Sequence, residues 1–150
     1  MRPTERTNAL RPDGSDASST AGPSSSACAN ATGLPVTGTV GLTPGQVTPP
    51  VATEQARVAV LNALAAVGTL LAGPGGDAVA ALDRVVRVVK VVGFVASDHT
   101  FTGQPAVVNG ASELLHALLG EAGRHARSAV GVAVLPMGAP VEVELVVEVA

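Results

Sequence analysis

Arg127 and Glu142 are the residues whose types and surroundings best suit chemistry. Arg127 opens a strand-like run, Ser128 to Val134, in which its same-side neighbours Ala129, Gly131 and Ala133 are all small. Small residues beside a guanidinium leave room for a ligand, and a guanidinium holds a carboxylate through two parallel N–H···O bonds. Downstream, Val141, Val143, Leu145, Val147 and Val149 alternate with Glu142, Glu144, Val146 and Glu148. This is the period of a strand with one face in a core. A carboxylate at the edge of an apolar cleft is raised in pKa and can exchange protons near neutrality. One Arg and one such Glu could recognise a small anion and move a proton. The competing reading is structural: Arg127 in a salt bridge to Glu148 or Glu144, with the carboxylates on a solvated sheet face.

Other chemistry-bearing residues point elsewhere. His99, His116 and His125 lack the i, i+4 spacing of a helical zinc motif and have no Cys partner. No metal site is therefore expected, and His116, beside Glu113, reads as solvated. Ser97-Asp98-His99 has the residue types of a hydrolase triad, but three consecutive residues do not normally converge on one another, and a loop is expected. Gly73-Pro74-Gly75-Gly76 follows a helix and lacks the Gly-Lys-Ser/Thr ending of a phosphate loop. The single Cys28 excludes an intramolecular disulfide and a Cys-based zinc site.

These residues must be positioned by a small set of elements. Residues 1–32 contain no Val, Ile, Phe, Tyr or Trp and are dominated by Ser, Thr, Ala, Pro and Gly. Such a segment buries too little apolar surface to offset its ordering entropy and is expected to be disordered. The folded domain is expected over residues 33–150. Gly33 to Pro50 reads as loop with a short extended piece, Pro35 to Val40. Thr53 reads as the N-cap of a helix running to about Ala72, with Ala56, Val60, Ala63, Leu64, Val67 and Leu71 on one face. Val85 to Ala96 is apolar on both faces, as expected of an inner strand covered on both sides. Arg84, Arg87 and Lys90 recur every third residue, which suggests either a short helical start or cations at the sheet edge.

Thr102 reads as the cap of a second helix, with Pro105 in its first turn, Val108, Ala111, Leu115 and Leu118 on one face, and Asn109 on its surface. Leu135 to Pro140 carries turn residues and predicts a hairpin between the last two strands. In a simple antiparallel register Arg127 would face Glu148 and Glu142 would face Ala133, about 20 Å apart at about 3.3 Å per residue. One small substrate could not bridge them, so a site using both would join two subunits. The elements describe an α+β layer with two helices on one face of a single sheet.

The composition bounds the rest. The chain has 150 residues, 47% hydrophobic but 1% aromatic, with no Ile, so its core must be Val, Leu and Ala. A net charge of −3 and the absence of a basic stripe interleaved with aromatics argue against nucleic-acid binding. The N-terminus shows no apolar signal region, and the apolar run from Val58 meets Gly73-Pro74 too soon to span a bilayer. A cytoplasmic protein without a membrane segment is expected.

The Ala126-Arg127-Ser128 strand, the Leu135-Pro136 turn and the closing Val141-Glu142-Val143-Glu144 strand resemble the C-terminal signature of the reactive-intermediate deaminase (RidA/YjgF) family, in particular its chorismate-mutase-like branch. The resemblance extends through Val91 to Ser97, Gln104-Pro105, Asn109 to Ser112 and Gly120 to Arg127. It implies a homotrimer with sites in the clefts between subunits. It also implies cofactor-free hydrolysis of 2-imino or 2-enamino acids to 2-keto acids and ammonia. Arg127 would hold the substrate carboxylate, and Glu142 would orient the attacking water. The backbone N–H of Ala129 would contact the ligand, and Asn109 would lie near it. Endoribonuclease activity is also attributed to the family, but the acidic balance offers little to a phosphate backbone. The chain departs from the family pattern in several places. Ala129 stands where relatives have Cys, Gly131 where they have Glu, and residues 1–32 show neither the two family strands nor the site Tyr. These departures leave two alternatives open: a non-catalytic trimeric binding protein with a carboxylate pocket, or an impaired member lacking the first hairpin.

Overall fold

The computed structural model describes residues 35–150. The expectations for residues 1–32 therefore lie outside the described part. In order, the chain forms helix α1 (Pro49–Ala72), a short helix α2 (Ala78–Ala81) and strand β1 (Val85–Ala96). Helix α3 (Gln104–Leu119) and strands β2 (Ala126–Val132) and β3 (Val141–Val149) follow. Three 3-10 turns, Leu82–Arg84, Gly120–Gly123 and Pro136–Gly138, join them. Helices α1 and α3 pack on one another and on one face of the sheet, the α+β architecture expected.

Helix α1 starts one turn earlier than Thr53. Its N-cap is Thr48, and two prolines follow. Proline suits the first positions of a helix because the N–H it lacks would have no intrahelical partner there. The Thr53 hydroxyl instead donates to the Pro49 carbonyl at 2.9 Å. The helix buries Ala52, Gln55, Ala56, Val60, Leu64 and Gly68. By length and composition α1 could cross a membrane; in this fold that face meets α3 and the sheet. Helix α3 is capped by Gly103 rather than Thr102 and ends at Gly120, whose φ of 57° is left-handed. Val107, Val108, Ala111 and Leu115 are its buried face, while Leu118 is exposed. The two helices approach closely at Gly110, where a Cβ would collide with the Thr53 backbone carbonyl. Gly93 does the same for helix and sheet, because a Cβ there would strike the Val108 side chain.

The sheet order is β2-β1-β3. The expected hairpin between the last two strands does not form. β1 lies between them, parallel to β2 and antiparallel to β3. The physical reason lies in β1, the longest strand of the sheet at twelve residues, mostly valine. A hairpin would leave one of its edges unpaired; the central position gives both edges hydrogen-bonded partners. The connector of residues 133–140 accordingly arches over the C-terminal end of β1. There Ser97 N–H donates to Val132 O at one side and Ala96 N–H donates to Pro140 O at the other. Met137 and Gly138, with φ of 58° and 68°, bend this arch.

β1 is the inner strand expected, but only one of its faces is covered among the described residues. Val88, Val91 and Val95 are buried under the helices. The other face carries Lys90, Val92 and Phe94 on β1, flanked by Val130 on β2 and Val146 on β3. Val130 and Val146 are 43% and 53% exposed, so this face is open, with its apolar residues interleaved with Lys90, Ser128, Glu142 and Glu144. Arg84 belongs to a 3-10 turn rather than the strand, and it donates to Ala150 O and Leu71 O.

Candidate functional site

The site is built first at the β2 edge. In the parallel register Arg127 is the partner of Val91 and Ala129 the partner of Gly93. Val91 faces the helices, so Arg127 does too, and its side chain reaches α3. Nη1 of Arg127 donates to Asn109 Oδ1 at 2.7 Å and to Ser112 Oγ at 3.2 Å. Asn109 and Ser112 are three residues apart and thus lie on one face of α3. Among the described residues Nε and Nη2 have no partner, so the side-on edge of the guanidinium is available to a carboxylate. Neither Glu148 nor Glu144 pairs with Arg127. Glu148 instead binds Arg87, at 2.6 Å.

Ser112 carries the network further. Its Oγ lies 3.0 Å from His125 Nε2, and His125 Nδ1 lies 2.6 Å from the Gly123 carbonyl. A carbonyl only accepts, so Nδ1 carries a proton, and with the ring uncharged Nε2 would accept from the Ser112 hydroxyl. Ser112, His116, Gly123, Arg124, His125 and Arg127 border a shallow recess of about 410 Å³. In the sequence, Ser112 and His125 lie inside family motifs. The i, i+3 step from Asn109 to Ser112 and the i, i+2 step from His125 to Arg127 were the signals that could have found them.

Gly131 follows Ala129 on the same face. A Cβ there would strike Gln104 and Ser97, whose side chains bond to one another at 3.1 Å. Part of the small-residue stripe beside Arg127 is therefore occupied by the start of α3 rather than open to a ligand.

Glu142 lies on the other edge and the other face. It pairs with Phe94, which points away from the helices. From Val91 to Phe94 is about 10 Å along β1, and β2 and β3 are two strand spacings, roughly 10 Å, apart. The backbones of Arg127 and Glu142 are thus about 14 Å apart, with side chains on opposite faces of the sheet. That is shorter than the separation a hairpin would give. The structure brings Arg127 and Asn109 together, with Ala129 beside them, and does not bring Glu142 to them within one chain. Glu142 borders a separate, largely apolar cavity of about 300 Å³, lined also by Gln55, Ala59, Met137, Val141 and Val143.

The remaining polar clusters are structural. Asp98 accepts from the Thr100 hydroxyl at 2.6 Å and the Thr100 N–H at 2.9 Å. Those two bonds, with smaller contributions from Gln46 and His99, hold its carboxyl below the usual carboxylate value. This fixes the loop after β1, so Ser97-Asp98-His99 forms a turn, as expected. His116 is exposed, and its Nδ1 lies 2.9 Å from Gly120 O. Among the described residues no three His, Cys, Asp or Glu side chains converge as a metal site.

The sequence pattern that defines the endoribonuclease L-PSP family matches residues 14–149. The chain belongs to that family, the RidA/YjgF family. The match begins upstream of Gly33, within the segment whose composition sets it apart. Among curated relatives, Protein TCP17 of Trypanosoma cruzi is 60% identical over 68 residues, which are 45% of this chain and 42% of that protein. The chain thus matches under half of that relative's length. Among solved structures, Atu1372 of Agrobacterium tumefaciens, a protein of unknown function, shares 44% identity with a TM-score of 0.66. The alignment covers 76% of this chain and 66% of Atu1372. A protein of Shewanella oneidensis MR-1, provisionally described as an endoribonuclease, shares 27% identity with the same TM-score of 0.66, over 78% of this chain and 71% of that one. The family fold is therefore present, and family members are generally trimeric.

Proposed function

We propose that the protein is a homotrimeric hydrolase that converts reactive 2-imino or 2-enamino acids to 2-keto acids and ammonia. The observation that carries this reading is the state of Arg127. Its Nη1 is held by Asn109 and Ser112, while among the described residues Nε and Nη2 have no partner and could take a carboxylate. The imine is already an electrophile, so no cofactor is invoked. Water adds to the imine carbon, a proton reaches the nitrogen, and the tetrahedral intermediate collapses to the ketone as ammonia leaves. Glu142 is assigned to orient that water and handle its proton. It lies on the opposite sheet face from Arg127 of the same chain, so the Glu142 that completes a site belongs to a neighbouring subunit. The exposed Val130 and Val146, which lie beside Val92, Phe94 and Glu142 itself on the open face, support burial between copies.

A second reading, a trimeric protein that binds a carboxylate without turning it over, is favoured by one feature. Arg127, Asn109 and Ser112 form a complete anion grip within one chain, with no carboxylate needed. The test is ammonia release from an imino acid generated in situ by an amino-acid oxidase, with native mass measured on the same sample. Faster release that disappears with Arg127→Ala supports the hydrolase. Equal rates for wild type and variant refute it.

A further inference from the structure

We propose that Ser112 and His125 are positioning residues for the carboxylate grip: His125, held as its neutral Nδ1–H tautomer by the Gly123 carbonyl, orients the Ser112 hydroxyl so that a lone pair receives Arg127. This inference rests on the reading of Arg127 as a carboxylate-binding group and deepens it.

The network runs outward from a backbone carbonyl. Gly123 O lies 2.6 Å from His125 Nδ1 and can only accept, which places the ring proton on Nδ1. Nε2 is then the acceptor of the neutral imidazole, and its neighbour at 3.0 Å is Ser112 Oγ. A hydroxyl has one proton, so the one donated to His125 is no longer available to Arg127. The lone pairs that remain face the guanidinium, and Nη1 donates to one of them at 3.2 Å. Asn109 Oδ1 takes the second Nη1 proton at 2.7 Å.

Both protons of one terminal nitrogen are therefore committed to α3. The guanidinium plane is fixed by two bonds to residues one helical turn apart, and the Nε–Nη2 edge is left for the ligand. A long exposed side chain would otherwise sample many rotamers, and fixing it before binding removes that entropy cost from the bound state. Gly123 makes the carbonyl available by packing tightly. It is buried, and a Cβ there would strike the backbone of Leu115 and His116, so the 3-10 turn lies flat against α3.

The chain Gly123–His125–Ser112–Arg127 thus transmits the position of the helix end to the ligand-binding edge. Its members act through Arg127 and are not assigned contact with the reacting atoms.

The experiment measures binding of a short 2-keto acid, 2-oxobutyrate, to the full chain by calorimetry, so that it reads the grip whether or not the protein hydrolyses imines. Wild type, Ser112→Ala, Ser112→Thr, His125→Leu and His125→Gln are compared. Ser112→Ala and His125→Leu are expected to weaken binding roughly five- to tenfold, as for one charge-assisted hydrogen bond at an exposed site. Ser112→Thr keeps the hydroxyl, and His125→Gln keeps an acceptor near the Nε2 position; both should recover most of the affinity.

With an imino acid substrate the loss should fall on KM with kcat nearly unchanged, because the grip acts on ground state and transition state alike. Nitrogen-15 spectra of His125 should show a protonated Nδ1 and an unprotonated Nε2 at neutral pH. Unchanged affinity in Ser112→Ala, no recovery in Ser112→Thr, an Nε2–H tautomer in wild type, or no binding of the keto acid to wild type would each overturn the proposal. Intact binding without ammonia release would sink the hydrolase reading and leave this one standing.

Discussion

The two edges of the sheet are finished to different degrees. At the β2 edge, Arg127, Asn109, Ser112 and His125 bond to one another within one chain. At the β3 edge, Glu142 and Glu144 stand on the open face, with Phe94 and Val92 as their strand partners. The first edge is a preorganised grip. The second offers a carboxylate to something beyond the chain. A site that needs both would assemble only with the oligomer, which would keep proton chemistry away from a lone subunit.

The largest effect should come from the unfinished edge. Glu142→Gln removes the proposed proton acceptor and should lower kcat by roughly 10²–10⁴-fold with little change in keto-acid affinity. A variant that keeps full turnover would remove Glu142 from the chemistry. At the finished edge, Arg127→Ala should cost about a hundredfold or more in kcat/KM, the usual scale for truncating one partner of a hydrogen-bonded charge pair. Calorimetry with the keto acid checks that the loss is in binding.

Mixing the two inactive variants under subunit exchange tests the division directly. With random assortment, about a quarter of the interfacial clefts (one half times one half) regain both groups. Recovered activity near that fraction supports a shared site, and none in proven hetero-oligomers would place both groups in one chain's site.

Smaller effects probe what ties the edges together. Gly110→Val forces α3 off the Thr53 backbone and should destabilise the fold by about 1–3 kcal/mol, as overpacking does. Denaturant melting should show this, along with weaker keto-acid binding, because Asn109 and Ser112 ride on the same helix. Unchanged stability would mean the helix contact is slack.

The smallest effect belongs to Asp98. Its folded pKa lies below its ordinary value, with the Thr100 bonds as the main cause. The stabilisation is therefore present above the unfolded pKa of about 3.9 and lost as pH falls through the folded value. Wild type should lose slightly more stability than Asp98→Asn on acidification below about pH 4, and identical acid curves would show the turn to be neutral. The side-chain partners of Asp98 are Gln46, His99 and Thr100, none of them in the grip, so keto-acid binding should not change.

Much of this was legible in the residues. The period of Ala56, Val60 and Leu64 marked α1, that of Val108, Ala111 and Leu115 marked α3, and the alternation from Val141 marked β3. Arg127 was legible as a ligand-binding group because its strand neighbours are small. Strand order was not legible, because turn residues such as Pro136 and Gly138 serve a hairpin and an arch equally well. What decided between them was a tertiary demand, the two edges of β1, which no local pattern carries. Missing that order also hid the opposite facing of Arg127 and Glu142, since register sets the face. Ser112 and His125 were missed for a related reason. They meet only because β2 runs parallel to β1 and carries the residues just before it across α3.

The arch over the end of β1 has a consequence for how the chain acquires its shape. Each sheet pairing joins segments far apart in sequence: β1 meets β2 only after α3 has been made, and β3 only after the arch. Such topologies fold slowly, since distant segments must close large loops before any pairing rewards them. During synthesis the strand with the most apolar sequence waits with one naked edge until residues 141–149 emerge. That interval is when two nascent chains are most apt to join the wrong way, edge to edge. Refolding yields should therefore fall with protein concentration more steeply than native solubility does, and a concentration-independent yield would show that β1 is sheltered before β3 arrives.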